Sequence, residues 1–595
     1  MIRTPLRPLA RVLPARARGE NPDLIERENL AQRHRDMEVQ ARTRAEGRLL
    51  VLAAFFVCAY VAIGGRMALM ATSEPAEPVA SIGGSAIANQ RADIVDREGR
   101  ILATNFETHS LYAQPPQMVD PAAAAEKLAQ IFPDLDQQDL LKRFTGKRKF
   151  LWIKKKISPE QMQAVHDIGD PGLLFGPREM RLYPNGRLAA HVLGGASFGK
   201  EGVNAAEVIG VAGVEKQFDD YLRDPANAGK PLALSLDLSI QDAAEEVLYG
   251  GMKLMNAKGA TSILMDVHTG EVISVASLPD FDPNDRPRVP IEGEDPSESP
   301  LFNRSVQGVY ELGSTFKIFA AAQAMELGLV TPSTVIDTRG PLRWGKFLIR
   351  DFHNYGNELT VEKIIEKSSN IGTARLAQQI GAERQRSFLD SLGMLKPTPF
   401  EIVEAKGGQP LLPPNWSELS AMTISYGHGI STTPMHLAAG YATIANGGHY
   451  VAPTILKQTH APEQGPQVMS PEVARASLKM LRKVVSEGTA SFAEVKGYDV
   501  GGKTGSADKP KRNGGYYKDK VIATFASVFP IHDPQYVLIV TLDEPQIIAY
   551  GEERRTAGWT AAPVAAEMIA RLAPLLGLRP QIEPAPLDSV TLTSN

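Results

Sequence analysis

Cysteine is almost absent: one residue, Cys58, in a chain of 595. That excludes an internal disulfide framework, a C-x-x-C redox pair and a cysteine-based zinc knuckle, so packing must carry the fold. A surplus of either charge is missing too. Against 68 acidic side chains stand 64 basic ones, a net of −4, and no global basic excess is available to hold nucleic acid. There is no Walker A loop and no G-x-G-x-x-G between a strand and a helix, which removes P-loop and dinucleotide chemistry. The eleven histidines lack metal-ligand spacing; His353, His428 and His436 read as packing or hydrogen-bonding residues, and no metal site is expected. What remains is globular material, 43% hydrophobic and 22% charged, enough for several domains at roughly 150 residues each.

Long apolar runs are also scarce, with one exception. From Leu49 to Gly65 seventeen residues pass without a charge, and after Arg66 the apolar character continues through Met70. A bilayer core needs about 20 such residues, and Arg66 can snorkel to the interface. Forty-eight residues precede the run, too many for the n-region of a cleaved signal, so 49–70 is expected to be an uncleaved transmembrane anchor. Residues 1–48 carry eleven arginines against seven acids. The positive-inside rule then makes 1–48 a cytoplasmic tail and puts everything after Met70 outside, in a bacterial periplasm.

Residues 71–90 read as a linker. Globular texture begins at Arg91, where 91–103 reads as strand, Glu-Gly turn and strand. The region 91–232 mixes helices and short strands without a catalytic constellation and is taken as a pedestal. From 238 to 575 the pattern changes to an amphipathic helix, strands at 261–265 and 272–275, a helix-rich middle, and strands at 521–529 and 536–543. Strands at both ends with helices between predict an antiparallel sheet flanked by helices, an α+β domain. Residues 576–595, with Pro580, Pro584 and Pro586, read as a disordered tail.

Three motifs in this last domain carry chemistry. Gly313-Ser314-Thr315-Phe316-Lys317 opens an apolar helix, so Ser314 and Lys317, at i and i+3, share a face. A serine hydroxyl needs a base to become a nucleophile, and a desolvated lysine can be neutral enough to serve. A second S-x-x-K, Ser197 to Lys200, lies in a glycine-rich segment that fixes nothing, and it is read as coincidence. Ser368-Ser369-Asn370 interrupts two helical patterns, where a hydroxyl and an amide can project into a cleft. Val500 to Ser506 is read as the end of a strand, in which Lys503, Thr504 and Ser506 can bind a carboxylate and the glycines, Gly505 among them, admit substrate backbone closely.

In this order, inside one domain, the motifs resemble those of the class B penicillin-binding proteins, with Ser-Ser-Asn where the commoner form is S-D-N. Arg91–Ala103, Arg181-Leu182-Tyr183-Pro184-Asn185-Gly186 with His191, and Gly213-Val214-Glu215 are similar to the pedestal motifs of that family. Ser425 to Pro434 and Asp351-Phe352-His353 are most similar to its division-specific transpeptidases. The resemblance implies a penicillin-binding, serine β-lactamase-like transpeptidase domain on an elongated mixed α/β pedestal. It implies that Ser314 attacks the D-Ala–D-Ala carbonyl of a peptidoglycan stem peptide and that Lys317 is its general base. Ser368 would relay the proton to the leaving amine, and Asn370 would position substrate amide and Lys317. Lys503 would hold the substrate carboxylate and depress Lys317, while the N–H groups of Ser314 and Ser506 would form the oxyanion hole. An acceptor amine from a neighbouring stem peptide then completes the cross-link without any cofactor. β-Lactams would be covalent inhibitors. Implied partners are an FtsW-like glycosyltransferase and other division proteins, at the septum of the inner membrane. An elongation-specific class B enzyme and a catalytically silent division scaffold remain the alternative readings.

One further feature stands apart. Between Lys142 and Lys156 eight lysines and arginines cluster around Phe144, Phe150 and Trp152. Such interleaving can bind nucleic acid, but the inferred extracytoplasmic side excludes that, leaving a solvated face or a partner surface.

Overall fold

The computed structural model describes residues 9–72, 91–201, 206–227, 229–511 and 514–581. The expected linker therefore lies almost wholly outside the described residues, as do the first eight residues of the tail and 582–595 of the C-terminal tail. Two compact units divide the chain: Met1–Val79 with Tyr112–Ile153 and Ala164–Leu174, and Ala80–Leu111 with Lys154–Gln163 and Phe175–Asn595.

In the first unit one continuous helix, Pro22–Thr72, runs through the apolar stretch. Large side chains are exposed all round it, among them Leu50, Phe55, Tyr60 and Val61. Among the described residues no helix is long and apolar enough to cross a membrane; the side chains of 65–70, the far end of the expected anchor, lie outside them.

The second unit holds the sheet that positions the site. Its strand order is Gly501–Pro510, Tyr516–Phe529, Tyr536–Asp543, Gly259–Asp266, Val272–Leu278, all antiparallel. The three inner strands are apolar on both faces because helices cover both. Leu238–Leu254 and Ala561–Leu575 pack against one another and on the sheet, while Pro434–Ala445, buried along its whole length, packs on the same strands. Near-continuous runs such as Val537–Leu542 are therefore fully buried. The motif around Lys503 starts the edge strand rather than ending one, as the sequence suggested. An edge strand has one row of backbone groups unpaired, and here that edge meets the turn that carries Ser314.

The pedestal motifs converge on a buried ion cluster. Glu215 accepts from Arg91 Nε (2.7 Å) and Arg181 Nε (2.6 Å), and Tyr183 donates its hydroxyl to the same carboxylate (3.2 Å). Asp219 adds a second acid, 2.8 Å from Arg91 Nη1. The hairpin 94–103 pairs antiparallel with itself, and Ile94–Val95 pairs parallel with Leu232–Ala233.

Candidate active site

Ser314 lies in a single 3-10 turn, Gly313–Phe316, that runs directly into the helix Lys317–Glu326. Every residue of this helix from Lys317 to Met325 is buried, which takes Lys317 out of water. Gly313 sits at φ +55, and a methyl group there would come within 3.0 Å of the Ser506 carbonyl oxygen and 3.3 Å of its nitrogen. One at Gly505 would meet the Leu312 carbonyl at 2.2 Å. The glycine expected to admit substrate thus admits the protein's own nucleophile turn. Turn and edge strand are in backbone contact.

Ser368 ends the helix Val361–Lys367 in the left-handed conformation, φ +63, and Ser369 caps the next helix, Asn370–Ile380. The break lies where the polar triplet predicts it. The left-handed turn directs the carbonyl and hydroxyl of Ser368 at Lys317, at a conformational cost of about 1–2 kcal/mol for a non-glycine residue. Lys317 Nζ donates to Ser368 Oγ at 3.0 Å and also to its carbonyl. Lys503 Nζ donates to the same hydroxyl at 3.0 Å and to the Thr504 carbonyl at 3.1 Å. Two lysines from segments 186 positions apart thus share one serine oxygen. Both are fully buried.

Burial pushes Lys503 down to about 7. The same burial, reinforced by the neighbouring Lys503 charge, drives Lys317 well below the usual lysine range, and Asp351 opposes this only in part. Two unit charges about 5 Å apart repel by roughly 3 kcal/mol at an effective dielectric of about 20, so one amine is favoured neutral. The arrangement brings two buried amines, each with lowered proton affinity, onto one bridging hydroxyl.

Other expected residues have partners of their own. Ser314 is half-buried, and among the described residues its hydroxyl has no hydrogen-bond partner, so it is free to turn toward a ligand. Asn370 Nδ2 donates to the Arg350 carbonyl at 2.9 Å. No hydrogen bond joins it to Lys317, so the positioning expected of it reaches the lysine only through the helix start it belongs to. Thr504 and Ser506 project on the face opposite Lys503 and Gly505, as strand alternation demands. Thr504 Oγ1 pairs with Thr489 Oγ1 (3.0 Å), while Ser506 Oγ accepts from the Ala557 N–H (2.8 Å) and keeps its own proton to donate. Ser197, the rival serine, is exposed on the strand Gly195–Glu201.

Two residues to which the sequence reading gave no individual role also shape the site. Asp351 accepts from Ser369 Oγ (2.7 Å) and from the Ile371 N–H (3.0 Å), tying a distant loop to the start of the Asn370 helix. Glu311 accepts from the Gly429 N–H (2.8 Å) and Tyr516 OH (2.9 Å), clasping three segments beside the Ser314 turn. Asp351 stands in the Asp351-Phe352-His353 match and Glu311 three residues before Ser314, but the partners that give them these roles lie in other segments of the chain.

With this geometry in hand, residues 260–570 match the model of the penicillin-binding protein transpeptidase domain, and residues 86–228 that of the penicillin-binding protein dimerisation domain. The chain is 33% identical over 503 residues to the probable peptidoglycan D,D-transpeptidase FtsI of Caulobacter vibrioides, covering 83% of this chain and 82% of that one. It is 28% identical over 493 residues to the peptidoglycan D,D-transpeptidase FtsI of Escherichia coli, covering 78% and 81%. Among solved structures it is similar to penicillin-binding protein 3 of Mycobacterium tuberculosis in complex with aztreonam. That likeness has a TM-score of 0.62 at 25% identity and covers 83% of this chain and 97% of the other.

Proposed function

The chain belongs to the class B penicillin-binding proteins, and we propose that it is a septal peptidoglycan D,D-transpeptidase whose acyl-enzyme forms on Ser314. The observation that carries this reading is the Ser368 hydroxyl held at 3.0 Å by both Lys317 and Lys503. Such a device has little structural merit, since it buries two cations against one hydroxyl, and clear catalytic use.

Chemically, neutral Lys317 takes the Ser314 proton as the hydroxyl oxygen bonds to the penultimate D-Ala carbonyl carbon of the donor. The oxyanion develops against the N–H groups of Ser314 and Ser506, donors of a kind worth about 3–4 kcal/mol of barrier each. The C–N bond then breaks. The proton passes from Lys317 through Ser368 to the departing D-Ala amine, leaving an ester on Ser314. The hydroxyls of Thr504 and Ser506 hold the donor carboxylate, while Lys503, on the other face of the strand, contributes its charge through Ser368. In the second half an acceptor amine attacks the ester, loses its proton through the same relay, and Ser314 recovers its hydrogen. A β-lactam enters as the donor does and remains as the ester.

The domain scheme follows: pedestal over 91–232, transpeptidase domain over 238–575, and the helix through 49–70 as a single-pass inner-membrane anchor. Apolar side chains exposed on every side of that helix favour lipid around it, with the arginine-rich tail in the cytoplasm and the catalytic domain in the periplasm. An FtsW-like polymerase of the glycan is the partner that this placement calls for.

Exposure of membranes to a fluorescent penicillin tests the assignment. A labelled band of about the chain's 64.5 kDa is expected in the parent and in Ser197→Ala, and none in Ser314→Ala. Loss of the band in Ser197→Ala alone would overturn it.

A further inference from the structure

The basic-aromatic cluster is left unused by the chemistry above. Within the first unit it comprises the helix Gln137–Phe144 and the turn leading to Leu151. Asp136 caps the helix, Leu140 and Phe144 bury its inner face, and Lys142 and Arg143 in its last turn answer the helix dipole. Arg143 is further occupied, donating to the Trp152 carbonyl at 3.1 Å and pairing with Asp139 at 3.6 Å. The fold thereby accounts for the first two cations. It does not account for Lys147 and Arg148, exposed on the turn beside the equally exposed Lys149. No acid stands between Asp139 and Glu160; Lys147 and Arg148 have no ion-pair partner among the described residues. Three like charges in a row repel one another, a cost that a surface tolerates but does not require. Beside them Tyr112, Phe150 and Trp152 form a ring cluster with centroids 5.0–5.7 Å apart, and Phe150 and Trp152 are only half-buried.

We propose that this turn is a binding surface for uncross-linked peptidoglycan, an anionic glycopeptide, separate from the Ser314 site. The inference rests on the transpeptidase reading, because that reading places such a polymer on the same side of the membrane as the turn. The chemistry matches on two counts. Stem peptides repeat carboxylates along the strand, and Arg148 with its lysine neighbours offers charge-assisted hydrogen bonds to them. The half-buried rings offer flat apolar faces on which sugar rings can lie. A second site for the same polymer raises its effective concentration at the first without altering the chemistry there.

Full-length protein in detergent, its catalytic serine replaced (Ser314→Ala), is titrated with soluble uncross-linked strands bearing intact stem peptides. The expected result is binding that weakens at least tenfold in Lys147→Gln/Arg148→Gln/Lys149→Gln, and that weakens likewise between 50 and 300 mM salt, as exposed charge contacts must. Strands stripped of their stem peptides by an amidase should bind as poorly. Equal affinity of parent and triple variant would overturn the proposal, as would undiminished binding of stripped strands or a preference for phosphatidylglycerol vesicles over strands. Penicillin labelling of the triple variant in a Ser314 background reports separately on the transpeptidase reading and should match the parent. Failure of labelling would strike that reading, and failure of strand binding this one.

Discussion

Two places in this protein bury a pair of cations, and they do so in opposite ways. In the pedestal Arg91 and Arg181 close on Glu215, with Asp219 and the Tyr183 hydroxyl filling the remaining positions. In the transpeptidase domain Lys317 and Lys503 close on a serine hydroxyl and two carbonyls, with Asp351 as a distant counter-charge. Arginine cannot shed its proton, so a buried arginine demands a carboxylate. Lysine can, so a buried lysine without a carboxylate turns into a base. The first cluster is built to stay charged and hold elements together, the second to lose charge and react.

Substituting each cluster should expose that contrast. Lys317→Met is expected to lower the rate of penicillin acylation by about 10²–10⁴-fold, the usual worth of a positioned general base, with no loss of thermal stability, since it removes an uncompensated buried amine. Stopped-flow or gel-based acylation kinetics alongside a melting curve give both numbers. A large drop in stability would show that the lysine is structural after all. Glu215→Gln should do the reverse, costing about 3–5 kcal/mol of stability by leaving the buried Arg181 guanidinium without a carboxylate and Arg91 with Asp219 alone. Acylation per folded molecule should be unchanged; an acylation defect with intact stability would erase the distinction.

A pH series sharpens the same point. The Lys503 amine titrates near 7 in the fold against about 10.4 in an unfolded chain. Between these values the unfolded state binds the extra proton, so Lys503 makes stability rise with pH from about 7 to about 10.4. The parent should therefore gain melting temperature between pH 7 and pH 9 relative to Lys503→Met. Parallel curves would mean that Lys503 keeps its charge, as the arginines do. The gain is partial, because only part of the window is spanned.

What the sequence discloses follows the same division between local and distant causes. The helix–break–helix around Ser368 is visible because two apolar periodicities stop on either side of a polar triplet. The sheet is visible because Val521–Phe529 and Tyr536–Asp543 are runs of β-formers. The S-x-x-K spacing marks the start of a buried helix, with Ser314 in the 3-10 turn just ahead of Lys317. Convergence is another matter. That Lys503 reaches Ser368, or that Glu311 joins Gly429 and Tyr516, depends on pairings between segments more than a hundred residues apart, and no periodicity encodes those. Gly505 illustrates this: a glycine reveals a close approach, and the fold shows that the Leu312 carbonyl is one of the groups that approaches it. The basic turn at 147–149 was legible as charge, yet the lack of an ion-pair partner for Lys147 and Arg148 among the described residues emerged only with the structure.

Asp351 offers the finest test of the comparison, because it is the residue that leans the lysine cluster slightly toward the pedestal's solution. Its carboxylate caps the Asn370 helix through Ser369 Oγ and the Ile371 N–H and favours the charged form of Lys317 across the site. Asp351→Asn keeps an oxygen to accept from Ile371 and removes the charge. Lys317 should then release its proton at still lower pH, so the acidic limb of the acylation rate against pH should move down while the plateau changes by less than about threefold. A carboxylate that acted only as a cap would give a different profile, with the rate lowered at every pH and the limb unmoved, because the helix start would loosen without touching the amine's proton affinity. Measuring the full profile therefore separates an electrostatic role from a mechanical one in a single variant. An unmoved limb would show that Lys317 feels burial and Lys503 alone.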